Sequence, residues 1–190
     1  MINTFILRLF LGTIALFMAA PLAVVAGVSF NERKSLSFPP EGFSLDWYAQ
    51  IFTEDSWRSA LFNSVGVAVG ASSLAVVVAF PLAWFLWRFH APWARIVQVL
   101  GLAPFILPPV ITALGFLSFW TTAGAYGQAW TVVISHGIFF VTLPLVTLTL
   151  GFEAVDDSLV EAAATMGADD RTILRTIILP LILPYIISGM

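Results

Sequence analysis

From Ile96 to Phe152 the chain carries no Asp, Glu, Lys or Arg. A helix rises 1.5 Å per residue, so about 20 apolar residues cross a bilayer core. The window is too long for one such helix and fits two with a short turn. Thr, Gly, Tyr and Gln cluster around Gly124 and Gly127, which places the turn at Thr121–Gln128. Two further charge-free windows, Leu9–Phe30 and Ser59–Trp87, read as membrane spans. Hydrophobic residues make up 59% of the chain and charged residues 10%, against about 25% charged in a soluble domain. The expectation is an integral membrane protein of all-α class, a polytopic helical bundle.

The segments follow from these windows. Residues 1–30 form a first transmembrane helix and 31–58 an extracytoplasmic loop. Residues 59–190 form a transmembrane domain with helices at 59–87, 97–120 and 129–151. A fifth helix starts near 179 and stops at 190, short of a crossing, so the chain reads as truncated there. The apolar run after Arg8 exceeds a signal-peptide core of about 7–15 residues and reads as an uncleaved helix. In the outer loop, Pro39-Pro40 favours extended backbone and Glu41-Gly42 a turn. Asp46-Trp47-Tyr48 opens a short interfacial helix.

Several chemistries are excluded. Without cysteine there is no disulfide, thiolate metal site or thiol nucleophile. The single lysine, Lys34, follows no glycine pattern, so the chain lacks the phosphate-binding loop of an ATPase. A net charge of −3 without a basic run gives no footprint for nucleic acid. Two distant histidines and no carboxylate in the windows Ser59–Trp87 and Ile96–Phe152 supply neither a catalytic cluster nor a metal site. The same lack weighs against a self-contained, ion-coupled secondary transporter, which carries ionisable residues in its spans.

Arg8, Arg88, Arg95, Arg171 and Arg175 fall on one side of these spans, and Arg33, Lys34 and Arg58 on the other. The positive-inside rule puts the first group, the N-terminus and the 152–178 loop in the cytoplasm. Trp47, Tyr48, Trp57, Trp84, Trp87, Trp93, Trp120 and Trp130 lie near span ends, as an aromatic belt does. His90 reads as an interfacial residue.

The 152–178 loop is the polar island of the chain. Ser158 and Glu161 have capping-box spacing, with Asp156 and Asp157 adding charge near the positive helix end. Leu159, Ala162, Ala163 and Met166 then fall on one face, with two alanines that permit close approach of a partner. Gly167 supplies the stop, Asp169 or Asp170 caps a second helix, and Ile173, Leu174, Ile177 and Ile178 form its apolar stripe. Leu179-Pro180 leads into the membrane. The alternative, an amphipathic loop lying on headgroups, fits poorly with an acidic helix whose apolar face is mostly alanine.

Glu161-Ala162-Ala163, three residues, Gly167, nine residues, then Ile177, Leu179 and Pro180 resemble the signature loop of the permease subunits of bacterial ABC importers. Ser29-Phe30-Asn31 and the run from Phe38 to Tyr48 are similar to the spermidine/putrescine branch. Permeases for ferric iron, thiamine or aminoethylphosphonate share much of that run. The resemblance implies the bundle of a type I ABC importer permease in the bacterial inner membrane. It also implies cytoplasmic ATPase subunits that bind the ATP, a second permease subunit and an external solute-binding protein. The permease itself would need no cofactor. Ser158, Glu161, Ala162, Ala163, Met166, Gly167, Ile177, Leu179 and Pro180 would form the ATPase-coupling loop. Glu161 would either cap the helix or pair with a basic residue of the ATPase.

Candidates for a translocation path are His136, Trp120, Tyr126, Pro108 and Pro109. His136 is an intramembrane ionisable residue, either lining a path or bonded to a neighbouring helix. Pro104, Pro108, Pro109 and Pro144 interrupt the third and fourth helices and favour kinks. Trp120, Tyr126 and Trp130 are candidates for cation–π contacts. Without carboxylates in those two windows, recognition of a cation would rest with the external protein. Gly66 and Gly70 have the G-x-x-x-G spacing of close helix packing.

Overall fold

The computed structural model describes residues 4–89 and 94–190. His90 and Trp93 lie outside the described residues. Ten α-helices in chain order account for most of the described residues, and no strand occurs among them. Contacts divide the chain into two units, Met1–Phe62 and Asn63–Met190.

In the first unit, α1 (Thr4–Ser29) is apolar along its 26 residues and buries none of them within the chain. The outer loop is organised by Asn31, which is 2% exposed. Its amide donates to the Ser35 carbonyl at 3.1 Å, and its side-chain oxygen accepts from the Glu41 N–H at 3.1 Å. Its main-chain carbonyl accepts from the Trp47 indole at 2.8 Å. A buried amide costs little once its partners are supplied, so this one residue folds the loop around itself. Phe30 stacks on Phe43 with ring centroids 5.1 Å apart. The short helix α2 (Asp46–Thr53) follows.

Helix α3 (Asp55–Phe89) has 35 residues and is longer at both ends than the charge-free window. Within the second unit its buried residues are Ala71, Ala75, Ala79 and Ala83. An alanine every fourth position keeps one face nearly flat, so large side chains from elsewhere pack on its backbone. Of the two spaced glycines, Gly70 lies against Val133, whereas no described residue beyond its own helix comes within 4 Å of a Cβ built at Gly66.

The single third helix expected at 97–120 is two helices, α4 (Ala94–Ile106) and α5 (Pro109–Thr122), bent by 97°. This is a break rather than a kink. Pro108 and Pro109 both lack an N–H, and each drives the residue before it out of the helical region. Pro108 has an extended ψ of 130°. The fourth window is α6 (Ala129–Phe140) and α7 (Thr142–Glu153), bent by 46°.

Helices α4, α7 and the last apolar segment make the centre of this unit. The Thr142 hydroxyl donates to the Gly101 carbonyl at 2.7 Å and ties α7 to α4. Leu145, Leu148, Phe152 and Ile182 are at most 1% exposed. Within a bilayer such burial gains close packing rather than release from water, since lipid tails are as apolar as these side chains. Gly151 lets Tyr185 approach so closely that a Cβ there would lie 2.8 Å from its ring.

The last segment corrects the expectation of a helix beginning at Leu179. A four-residue α9 (Asp170–Ile173), a π-helical turn (Leu174–Ile178) and α10 (Leu179–Ser188) follow one another without interruption. Together they run 19 residues, long and apolar enough to cross a membrane. The Leu179 N–H bonds to the Leu174 carbonyl, five residues back. A proline ring collides with the carbonyl four residues earlier in an ordinary helix. The wide turn just ahead of Pro180 relieves that collision, so the helix continues through it. Three helical runs can cross a membrane, or five if each bent pair is one span. This is a multi-pass membrane protein.

Candidate functional site: the elbow at residues 156–180

Helix α8 (Asp157–Thr165) is capped by Asp156, whose carboxylate accepts from the Ser158 N–H at 2.9 Å. The cap is therefore not Ser158, which lies inside the first turn, and the Ser158–Glu161 capping box does not form. Two aspartates preceded Ser158 in the sequence. Their short carboxylates reach the same orphan N–H groups that a serine would. The Ser158 hydroxyl and N–H hold the Asp156 carboxyl below its ordinary value.

The far end of α8 closes on Gly167, at φ +85°. The Gly167 N–H bonds to the Ala164 carbonyl at 3.0 Å, and the Ala168 N–H to the Ala163 carbonyl at 3.0 Å. This pair of bonds is the Schellman closure, which requires a left-handed residue at Gly167. Asp169, not Asp170, then caps the next helical run by accepting from the Thr172 N–H at 2.9 Å. The Thr172 hydroxyl and N–H lower the Asp169 carboxyl in turn.

The expected coupling face divides in two. Ala163 is 5% exposed and packs into the core with Val155, Ile173 and Ile178, while Val160 is partly buried against it. Leu159 and Met166 are exposed at 45% and 82%, and Ala162 is exposed beside them. One alanine of the pair thus fastens the elbow to its own bundle. The other belongs to an apolar surface that no described residue covers. Ile173 and Ile178 are buried and Leu174, Ile177 and Leu179 half-buried, whereas Pro180 is exposed.

Helix α3 supplies a contact that sequence spacing did not reveal. Trp87 stacks on Phe152 with centroids 5.6 Å apart. The Arg88 guanidinium lies 3.9 Å from the Asp170 carboxylate. Trp87 and Arg88 also line a shallow cavity of about 340 Å³ with Asp157, Val160, Glu161 and Ala164. Glu161 therefore opens onto a recess shared with Arg88. Their separation of more than 70 positions left no local signal for this.

Away from the elbow, α5 and α6 enclose a cavity of about 550 Å³. Its lining includes Pro109, Trp120, Tyr126 and His136, but not Pro108. The Trp120 indole donates to the Ser135 hydroxyl at 2.7 Å, and Trp130 meets Trp120 edge-on. His136 bonds to its own helix, through Nδ1 and the Val132 carbonyl at 2.9 Å, rather than to a neighbour. No cluster of three or more metal-ligating side chains occurs among the described residues.

No family model matches the chain. Curated relatives cover nearly all of it. The spermidine/putrescine transport system permease protein PotC of Haemophilus influenzae is 31% identical over 188 residues, 97% of this chain and 72% of the relative. PotC of Escherichia coli K12 is 27% identical over 180 residues, 95% of this chain and 68% of the relative. PotB, a permease of the same named system in Salmonella typhimurium, is 28% identical over 195 residues, 94% of this chain and 68% of the relative.

Proposed function

The chain belongs to the family of these transport system permease proteins, and from that premise we propose that it is a membrane subunit of an ATP-driven, binding-protein-dependent importer of polyamines. The relatives' named substrates, spermidine and putrescine, support the solute class. The observation that carries the coupling role is the elbow. Leu159, Ala162 and Met166 present a compact apolar surface, while Ala163 and the stripe from Ile173 to Ile178 root it in the bundle.

In this reading a separate cytoplasmic ATPase seats on that surface and binds the ATP. The chain performs no hydrolysis of its own. Movement of the ATPase passes through Gly167 into the helical run at 170–188. A second permease subunit completes the passage, and an external binding protein delivers solute. The arginine distribution supports a cytoplasmic N-terminus and elbow, in a protein of the bacterial inner membrane. The cavity holding Trp120, Tyr126 and His136 is assigned to the solute path, as its aromatic faces attract ammonium groups.

Three measurements on the assembled transporter test this together. Single cysteines at 159 and 166 should label only from the cytoplasmic side. The ATPase should co-purify with the permease. Vesicles should take up radiolabelled spermidine only with ATP inside the ATPase compartment. External labelling at either cysteine, or uptake independent of ATP, removes the proposal.

A further inference from the structure

The first unit carries its own cavity, of about 500 Å³, built from the end of α1, the loop after it, α2 and the start of α3. Small-ligand pockets run from about 300 to 1,000 Å³. Helix α1 has 26 residues. At about 1.5 Å each these outreach a hydrocarbon core of about 30 Å. Val28 and Ser29, at the end of α1 and in the cavity wall, therefore stand at headgroup level. Trp47, Tyr48 and Trp57 in the same wall are the aromatic types that settle there.

The wall is held by contacts of its own. The Ser29 and Tyr48 hydroxyls share a hydrogen bond of 2.6 Å, which ties α1 to α2. The Trp47 indole is fixed by the Asn31 carbonyl at 2.8 Å. The Lys34 ammonium lies 5.3 Å from the centre of that ring. An indole face attracts a cation, so the charge of Lys34 is kept at the cavity wall.

That charge is one-sided. Arg33 and Lys34 line the cavity and no carboxylate does. Arg33 is paired with Glu41 at 2.7 Å, whereas no ion pair among the described residues includes Lys34. Leu36, Ile51 and Trp57 give the cavity an apolar side, and Leu36 is 92% exposed. An apolar surface beside an unpaired cation suits an amphiphile with an anionic head. A zwitterionic lipid also carries a cationic group, and this wall has no carboxylate to receive it. The Gln50 amide, also in the wall, can bond a glycerol hydroxyl or an ester carbonyl.

We propose that this cavity binds an anionic phospholipid, with the phosphate on Lys34 and the top of an acyl chain against Leu36, Ile51 and Trp57. The site goes beyond the import reading and does not depend on which solute is carried.

The test is photolabelling of the complete transporter in phosphatidylcholine nanodiscs. These are doped with a phosphatidylglycerol or a phosphatidylcholine probe whose photoreactive group sits at the top of one acyl chain. Labelled peptides are identified by mass spectrometry and normalised to labelling of the rest of the permease. Peptides covering residues 28–57 should take up the phosphatidylglycerol probe about five-fold more than the phosphatidylcholine probe. Lys34→Gln should remove most of that preference, and Lys34→Arg, which keeps the charge, should preserve it. Unlabelled phosphatidylglycerol should compete, and excess inorganic phosphate at constant ionic strength should not. Equal labelling by the two probes overturns the proposal, as does an undiminished preference in Lys34→Gln. Displacement by inorganic phosphate overturns it in favour of a free anion. Loss of the external binding protein from Lys34→Gln, with lipid labelling unaltered, assigns the surface to that protein instead.

Discussion

Arg88, near the end of α3, reaches to within 3.9 Å of Asp170, the first residue of the last helical run. Two membrane-length elements are thereby joined where the chain turns back toward the bilayer. The pair is half-exposed on the arginine side and more open on the aspartate side, so its contribution to stability is small, about 0–1 kcal/mol. Its consequence is positional. It links the end of α3 to the start of the elbow's second helical run.

Reversing the charge at Arg88 tests that role. Arg88→Glu should leave the permease level in the membrane unchanged and lower solute uptake by about five-fold through repulsion of Asp170 and Glu161. The double reversal Arg88→Glu with Asp170→Arg should recover part of the loss. Uptake that is the same in both variants would show that the contact does not position the elbow.

Gly167 is the elbow residue most sensitive to an added side chain. At φ +85° a β-branched residue costs about 1–3 kcal/mol, charged to the Schellman closure rather than to the bundle. Gly167→Val should therefore insert normally and lose at least most of its coupled uptake. Immunoblotting of membranes alongside uptake separates the two effects, and full uptake at normal abundance would remove Gly167 from the coupling path.

The two alanines should answer differently to the same substitution. Ala163→Leu adds three carbons to a site that is 5% exposed, and overpacking of this kind costs about 1–3 kcal/mol. A lower melting temperature of the detergent-solubilised protein is expected. Ala162→Leu faces outward, so the melting temperature should hold while ATPase co-purification falls. Equal melting temperatures for the two variants would contradict the division of the coupling face.

Acid should loosen the elbow before it disturbs the bundle. Asp156 and Asp169 have folded values lowered from 3.8 by hydrogen bonds from Ser158 and Thr172. A depressed carboxylate gives stability that is present above its unfolded value and lost as pH falls through the folded one. The caps should hold from neutral pH down to about 4 and fail below 3.8. A spin label at Leu159 should gain mobility over that lower range. Asp156→Asn, an equally good cap that does not titrate, should blunt the change.

The sequence by itself determined much of this protein. Membrane residence followed from the charge-free windows, because a charged side chain is costly in hydrocarbon and about 20 residues without one suffice to cross it. The turn before Ala129, the start of α2 at Asp46 and the stop at Gly167 were also legible, since local residues fix them. Tertiary structure decided the rest. The Pro108-Pro109 pair interrupts the helix locally, but the 97° between α4 and α5 is a property of the folded chain that the prolines alone do not specify. The continuous run through Pro180 depended on a widened turn that no residue type announces. Which alanine faced inward, and which arginine met Asp170, were set by packing between segments distant in sequence. Periodicity reports which residues share a face; only the neighbouring helix determines whether that face is covered.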